Sequence, residues 1–225
     1  MAEDQKRALL VLTSHDDLGG VRGTGYFVGE AAHPWDVFVK AGHQVDVVSI
    51  AGGVPPQDGR DEDDEIQQAF LEDPHIAAQL ADTRRLSDVD PAVYDIVYFV
   101  GGHGAMWDFP KDPAVNTVAG SIHQAGGVVA AVCHGPAAFA NITGEDGTAL
   151  IAGRRVAGFT NEEEAAVELT EAVPFLLADK LEELGATHVP GAAFEENVVT
   201  DERVVSGQNP QSAAGVARAV VDILG

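Results

Sequence analysis

Apolar residues along this chain gather in short unbroken runs, separated by stretches with helical spacing or turn chemistry. Ala8–Ser14 reads as a buried strand. Val37–Gly42 follows as the end of a helix closed by a Gly C-cap, and Val45–Ser49 as the next strand. A strand, a helix and a strand in that order imply a parallel pair with a right-handed crossover. Tyr94–Val100 is a third strand, running directly into Gly101-Gly102-His103-Gly104, with a helix over Ala114–Ala125 behind it. Val128–Val132 is a fourth strand that ends at Cys133, and Ala137-Ala138-Phe139-Ala140 reads as the start of a helix.

The later chain continues the alternation. Ala149–Ile151 and Arg155–Ala157 around Gly153 predict a small hairpin, and Val173–Leu184 predicts a helix ending at Gly185. Asn197–Val199 and Val204–Ser206 are short strands, and Pro210–Leu224 is an amphipathic helix with proline in its first turn. Residues 52–90 interrupt the pattern as an insertion. It holds a turn at Pro55–Gly59, an acidic run at Asp61–Glu65 read as solvated surface in preference to charge at the N-terminus of a following helix, and two short helices near Ile66–Leu71 and Pro74–Ala81. The insertion is expected to form part of a cap. With no repeat and no linker, residues 1–225 are expected to be one α/β domain with a mostly parallel central sheet.

Composition narrows the function classes. No run approaches the roughly 18 apolar residues of a membrane-spanning helix. The polar start, Met1–Arg7, lacks the apolar stretch of a signal peptide, and one cysteine excludes an intramolecular disulfide framework. These features point to a cytoplasmic enzyme. The net charge is −23, from 36 acidic and 13 basic residues, only four of them lysines. Such a surface repels nucleic acid and anionic membranes, so neither is an expected partner. Many acids with few lysines also resembles the surface of salt-adapted proteins.

In an open parallel sheet, sites lie at the carboxyl ends of strands. Cys133 sits at such an end, in Val132-Cys133-His134-Gly135-Pro136, where a strand-to-helix corner pushes its side chain outward. A helix N-terminus there would favour the thiolate. Without that context a lone cysteine is more often a small buried hydrophobe. The amides of Gly101-Gly102, with the N–H of His134, can form an oxyanion hole. Gly19–Gly25 does not fit G-x-G-x-x-G, which argues against nucleotide binding. Glu30, before His33-Pro34-Trp35, is either a helix-start charge or a metal ligand with His33 and a third residue such as His15 or His103; no metal is expected. Glu162-Glu163-Glu164 follow Gly158-Phe159-Thr160-Asn161 and offer acceptors to orient a histidine base. Trp107, after the Gly-rich turn, reads equally as a pocket wall and as core packing.

Taken together, Gly101-Gly102-His103-Gly104, Ala131-Val132-Cys133-His134-Gly135-Pro136-Ala137 and Gly158-Phe159-Thr160-Asn161 resemble the DJ-1/PfpI superfamily. The chain is most similar to its Hsp31-like branch of class I glutamine amidotransferase-like proteins. The likeness runs from the Gly-rich loop before Glu30 to Gly207-Gln208-Asn209-Pro210. It implies a flavodoxin-like sandwich with a cap, helices on both faces of the sheet, and a homodimer. It implies a triad of Cys133, His134 and an acid, which is Glu164, or Glu163 if the loop shifts by one. It further implies contact between Glu30 and the Cys133 sulfur, and oxyanion-hole positions at Gly102 and His134, beside His103.

Several members of that branch are glutathione-independent glyoxalases that convert methylglyoxal to D-lactate; others are chaperones, deglycases, amidases or peptidases. The implied substrate is a small 2-oxoaldehyde, and the implied chemistry needs no cofactor. The acidic surface generates its own expectation: if self-repulsion limits stability, screening must relieve it. Thermal unfolding followed by circular dichroism should shift to higher temperature as sodium chloride rises from low to molar concentration. An unchanged midpoint would dissociate the acidic surface from salt adaptation.

Overall fold

A computed structural model describes residues 5–144 and 146–225; Met1–Asp4, part of the polar start read above, lie outside the described residues. Seven strands form the central sheet: β1 (Arg7–Leu12), β2 (Gln44–Ser49), β3 (Arg84–Arg85), β4 (Ile96–Phe99), β5 (Val128–Val132), β6 (Val198–Asp201) and β7 (Val204–Gly207). Their order is β6-β7-β5-β4-β1-β2-β3. Every pairing is parallel except β6 with β7, which are joined by a tight turn through Glu202 and Arg203. This is the flavodoxin-like arrangement, with the sheet mostly parallel.

Strands β1, β4 and β5 are apolar on both faces because both faces are covered. Neighbouring residues of one strand point to opposite sides. Tyr98 meets Phe38 of helix α1 (Val28–Lys40), and its hydroxyl donates to the Ala213 carbonyl at the start of the C-terminal helix (Ala213–Leu224). Phe99, one residue on, meets Phe109 at the other face, where helix Pro113–Gln124 also lies against β4 and β5. All of these aromatic rings are fully buried.

Four expectations need correction. The segment after Cys133 is a 3₁₀ stretch, Gly135–Ala140, closed by short bonds such as Ala137 N–H to the His134 carbonyl, so no long helix dipole stands behind the thiol. No hairpin forms about Gly153. Gly153 instead donates to the Gly185 carbonyl, and Arg155–Val156 pairs in parallel with Thr187–His188. The helix expected from Val173 begins at Leu177, because Pro174 disfavours helical backbone at the residue before it. Asp64, in the acidic run, is more than solvated surface: it caps helix Glu65–Glu72 through the amides of Ile66 and Gln67.

The insertion at 52–90 has three destinations, one of them the edge of the sheet, where β3 pairs with β2. Gln57–Asp58 pairs with Tyr26–Phe27 beside the strand ends that carry Gly101 and Cys133. Its helices, Glu65–Glu72 and Pro74–Ala81, pack on α1 and β2. No helix among the described residues is long and apolar enough to cross a membrane.

Candidate active site

Strand β5 ends by donating the Cys133 amide to the Gly207 carbonyl, and the chain then turns sharply. Cys133 adopts φ 58°, a left-handed conformation rare for a residue with a Cβ and found mostly where a structure stores strain for a purpose. The Phe159 amide bonds the Cys133 carbonyl at 3.0 Å and holds the corner from the other side. At the end of β4, Gly102 has φ 100°, and a Cβ on Gly101 would lie 2.2 Å from a Glu30 carboxyl oxygen. Glycine at 101 is therefore what lets a carboxyl group from the first turn of α1 reach the sulfur.

Cys133 Sγ lies 3.3 Å from His134 Nδ1, and His134 Nε2 lies 2.7 Å from Glu164 Oε2. Glu164, not Glu163, is the carboxylate that reaches His134. The other Glu164 oxygen faces His103 Nε2 at 2.9 Å, so one carboxylate serves two imidazoles whose centroids are 4.0 Å apart and whose planes are tilted by 38°. An ionised Glu164 accepts from His134 Nε2–H, which leaves Nδ1 with the lone pair that faces the thiol.

Glu163 points elsewhere. It closes a capping box with Thr160 and accepts from Asn209 Nδ2 and the Phe194 amide. Adjacent positions in one helical turn thus send two carboxylates to two different places.

The cavity over Cys133 has a volume of about 330 Å³. Glu30, Gly102, His103, Cys133 and His134 form one end, while Arg22 and Asp58 face it from the rim, paired at 2.8 Å. Among the described residues, neither the Gly102 nor the His134 amide is taken up by another backbone carbonyl. Trp107 is not a wall of this cavity. It stacks on His15 at 4.9 Å, held where Asp108 accepts from Thr13 and Ser14. The aromatic walls are Phe27, Phe159 and Phe194. Phe159 lay within a recognisable motif; Phe27 and Phe194 carry no spacing signal and come to the site only through the fold. His33 bonds Asp64 at 2.8 Å instead of joining Glu30. His103, His134 and Glu164 do place their ligating atoms within 4.8 Å of one another, close enough for a divalent cation. Here both carboxylate oxygens are occupied by the imidazoles.

A sequence profile described as the DJ-1/PfpI family matches residues 25–223. The chain belongs to the DJ-1/PfpI family. It is 35% identical over 230 residues to Glyoxalase 3 of Candida albicans, covering 96% of this chain and 97% of that one. It is 34% identical over 236 residues to the glutathione-independent glyoxalase HSP31 of Saccharomyces cerevisiae, covering 97% and 98%. The crystal structure of Rapid Encystment Protein 24 KDa of Francisella tularensis superposes with a TM-score of 0.94 at 36% identity, over 98% of this chain and all of that one. Relatives this similar along their whole length place the chain in the Hsp31-like branch.

The charges of this family member's site follow from its burial. Burial would raise Glu164, but the hydrogen bonds and charges of His103 and His134 overcome it and hold the carboxyl at about 2. Burial and the neighbouring His103 push His134 down to about 4, against the pull of Glu164. Near neutral pH this is an ionised carboxylate beside a neutral imidazole. Glu30 is fully buried, and neither of its oxygens has a hydrogen-bond partner of ordinary geometry. Desolvation lifts it to about 8, although the nearby thiol and the Gly101 amide pull it down. Burial, then the Glu30 carboxyl, raises the Cys133 thiol well above its usual value, with the His134 amide opposing.

Because Glu30 keeps its proton in the fold up to about 8 but loses it near 4.5 when unfolded, its contribution is complete below pH 4.5 and is lost as pH rises through 8. Urea unfolding of wild type and Glu30→Gln should therefore diverge between pH 5 and pH 9. The variant should gain on wild type by roughly 3–5 kcal/mol across that window. Parallel stability curves would mean that Glu30 is ionised in the folded protein.

Proposed function

We propose that this chain is a glutathione-independent glyoxalase, isomerising and hydrating a 2-oxoaldehyde such as methylglyoxal to the 2-hydroxy acid through a hemithioacetal on Cys133. The observation that carries this reading is a thiol at a strained corner that faces the free nitrogen of a neutral imidazole on one side and a buried, protonated carboxyl on the other. The two curated relatives described above are named as glyoxalases, which supports the same reading.

The steps can be written atom by atom. The Cys133 S–H proton passes to His134 Nδ1 as the sulfur bonds to the aldehyde carbon, and the carbonyl electron pair moves to oxygen. The amides of Gly102 and His134 are assigned to hold that developing charge. His134 returns its proton to the alkoxide, which completes the hemithioacetal. A proton then leaves the former aldehyde carbon, its electrons form the C=C bond of an enediol, and the ketone oxygen takes a proton. Next a proton adds to the neighbouring carbon as the hydroxyl on the former aldehyde carbon gives up its own, which leaves a thioester. Glu30 is assigned both exchanges: its protonated carboxyl, at about 8 and beside the sulfur, gives its proton to a substrate oxygen as its other oxygen takes the proton from carbon, and the reverse exchange leaves it protonated again. The new thioester is cleaved by water, which releases the acid and restores the thiol. The substrate is oxidised at one carbon and reduced at the other, so no external oxidant or reductant enters.

Residence in the cytoplasm and assembly as a homodimer belong to this proposal on the strength of the resemblance. Purified protein supplied with methylglyoxal alone should yield lactate of one hand, with Cys133→Ala reduced at least about 10²-fold. Glu30→Gln should fold and lose most turnover, whereas Glu164→Ala should lose less than Cys133→Ala. Retained turnover in Cys133→Ala would remove the covalent route. A folded, thiol-reactive wild type without turnover would favour amide hydrolysis or a chaperone role.

A further inference from the structure

The cavity is two-sided in character. One end holds Cys133, His134, Glu30 and His103, while Phe27, Phe159, Val167, Leu169 and Phe194 build an apolar wall. Its volume, about 330 Å³, lies in the roughly 300–1,000 Å³ range of pockets that enclose drug-sized ligands. Glyoxal and methylglyoxal are far smaller and would leave most of that wall uncovered.

Phe194 is held against this cavity at a cost. Its φ is 58°, and it is 39% exposed, two unfavourable conditions for an aromatic residue. Its amide is fixed at 2.8 Å by Glu163, a carboxylate that is itself fully buried and bound to Asn209 and Thr160. The ring meets Phe159 edge-on at 6.3 Å, and Phe159 lies 4.5 Å from His134. Strain held in place by a buried anchor is typical of ligand clamps. At the rim, Arg22 and Asp58 pair with each other and so contribute no net charge there.

We infer that Phe194 is a specificity-determining residue and that the site selects 2-oxoaldehydes carrying an apolar substituent larger than methyl, packed between Phe194, Phe159 and Phe27. The inference rests on the glyoxalase reading for the reactive end of the substrate; the apolar wall is independent of it. The substituent leaves the reacting carbons where Cys133 and Glu30 meet them and removes its own surface from water, which adds affinity without altering the chemistry.

The test compares glyoxal, methylglyoxal and 4-methyl-2-oxopentanal with wild type, Phe194→Ala and Phe194→Leu. In wild type kcat/KM should rise at least about tenfold along the series, mainly through KM. Phe194→Ala should reduce the ratio of the last substrate to the first by at least about tenfold, and Phe194→Leu should restore most of it. A second readout needs no turnover: alkylation of Cys133, the single cysteine, by iodoacetamide and by its N-butyl derivative, followed by intact mass. Sulfur bonds to carbon, iodide leaves and the thiol proton is lost, so each event adds one known mass. Relative to free cysteine, wild type should favour the butyl reagent, and Phe194→Ala should not. Turnover with a flat series in wild type, or a ratio unmoved in Phe194→Ala, overturns the inference and leaves the glyoxalase reading intact. If wild type consumes none of the aldehydes, that reading fails, and the alkylation ratio alone decides for or against the apolar wall.

Discussion

A carboxyl group buried against a thiol is the constraint from which the rest of the site follows. Glu30 is fully buried with no well-formed hydrogen bond to support a charge, and Cys133 beside it is buried as well. Two negative charges in such a space repel each other strongly, so the pair holds at most one near neutral pH. A protonated Glu30 removes the repulsion that an ionised one would impose on the thiolate. It also leaves a proton where the reaction needs one moved. The fold is arranged to permit this approach. Glycine stands at 101, where a side chain would displace the carboxyl, and Cys133 accepts a left-handed backbone to present its sulfur.

The opposite side of the sulfur uses the reverse electrostatics. Glu164 is stabilised as an anion by two imidazoles, and the neutral His134 between it and the thiol keeps the acceptor nitrogen toward sulfur. One residue earlier, Glu163 spends all its bonding on structure: the Thr160 cap, Asn209 and the Phe194 amide. A charged cluster that looks uniform in sequence is therefore split by a single helical turn into an orienting anion and a scaffold anchor.

What was legible in the chain follows the range of the interactions. Buried strands announce themselves as apolar runs, so β1, β2, β4 and β5 were visible with ends accurate to a few residues. The corner at Cys133 was legible because tight turns restrict residue choice locally. Whether Glu163 or Glu164 meets His134 was not, since that depends on where the capping box starts the turn. The pairing of Arg155–Val156 with Thr187–His188 joins segments about thirty residues apart, and no local pattern encodes it. Trp107 was ambiguous for the same reason: its partner, His15, comes from the end of another strand. Phe27 and Phe194 reach the cavity through long-range packing and had no signal at all.

The protonation state of Glu30 at neutral pH is the central claim, and infrared difference spectroscopy reads it directly. The spectrum of wild type minus Glu30→Gln, recorded between pH 6 and pH 7, should contain the carbonyl stretch of a protonated carboxylic acid. That band should fade as the pH is raised through about 8. A difference spectrum that shows only carboxylate bands at pH 6 would contradict the account, because Glu30 would then already be ionised beside the sulfur.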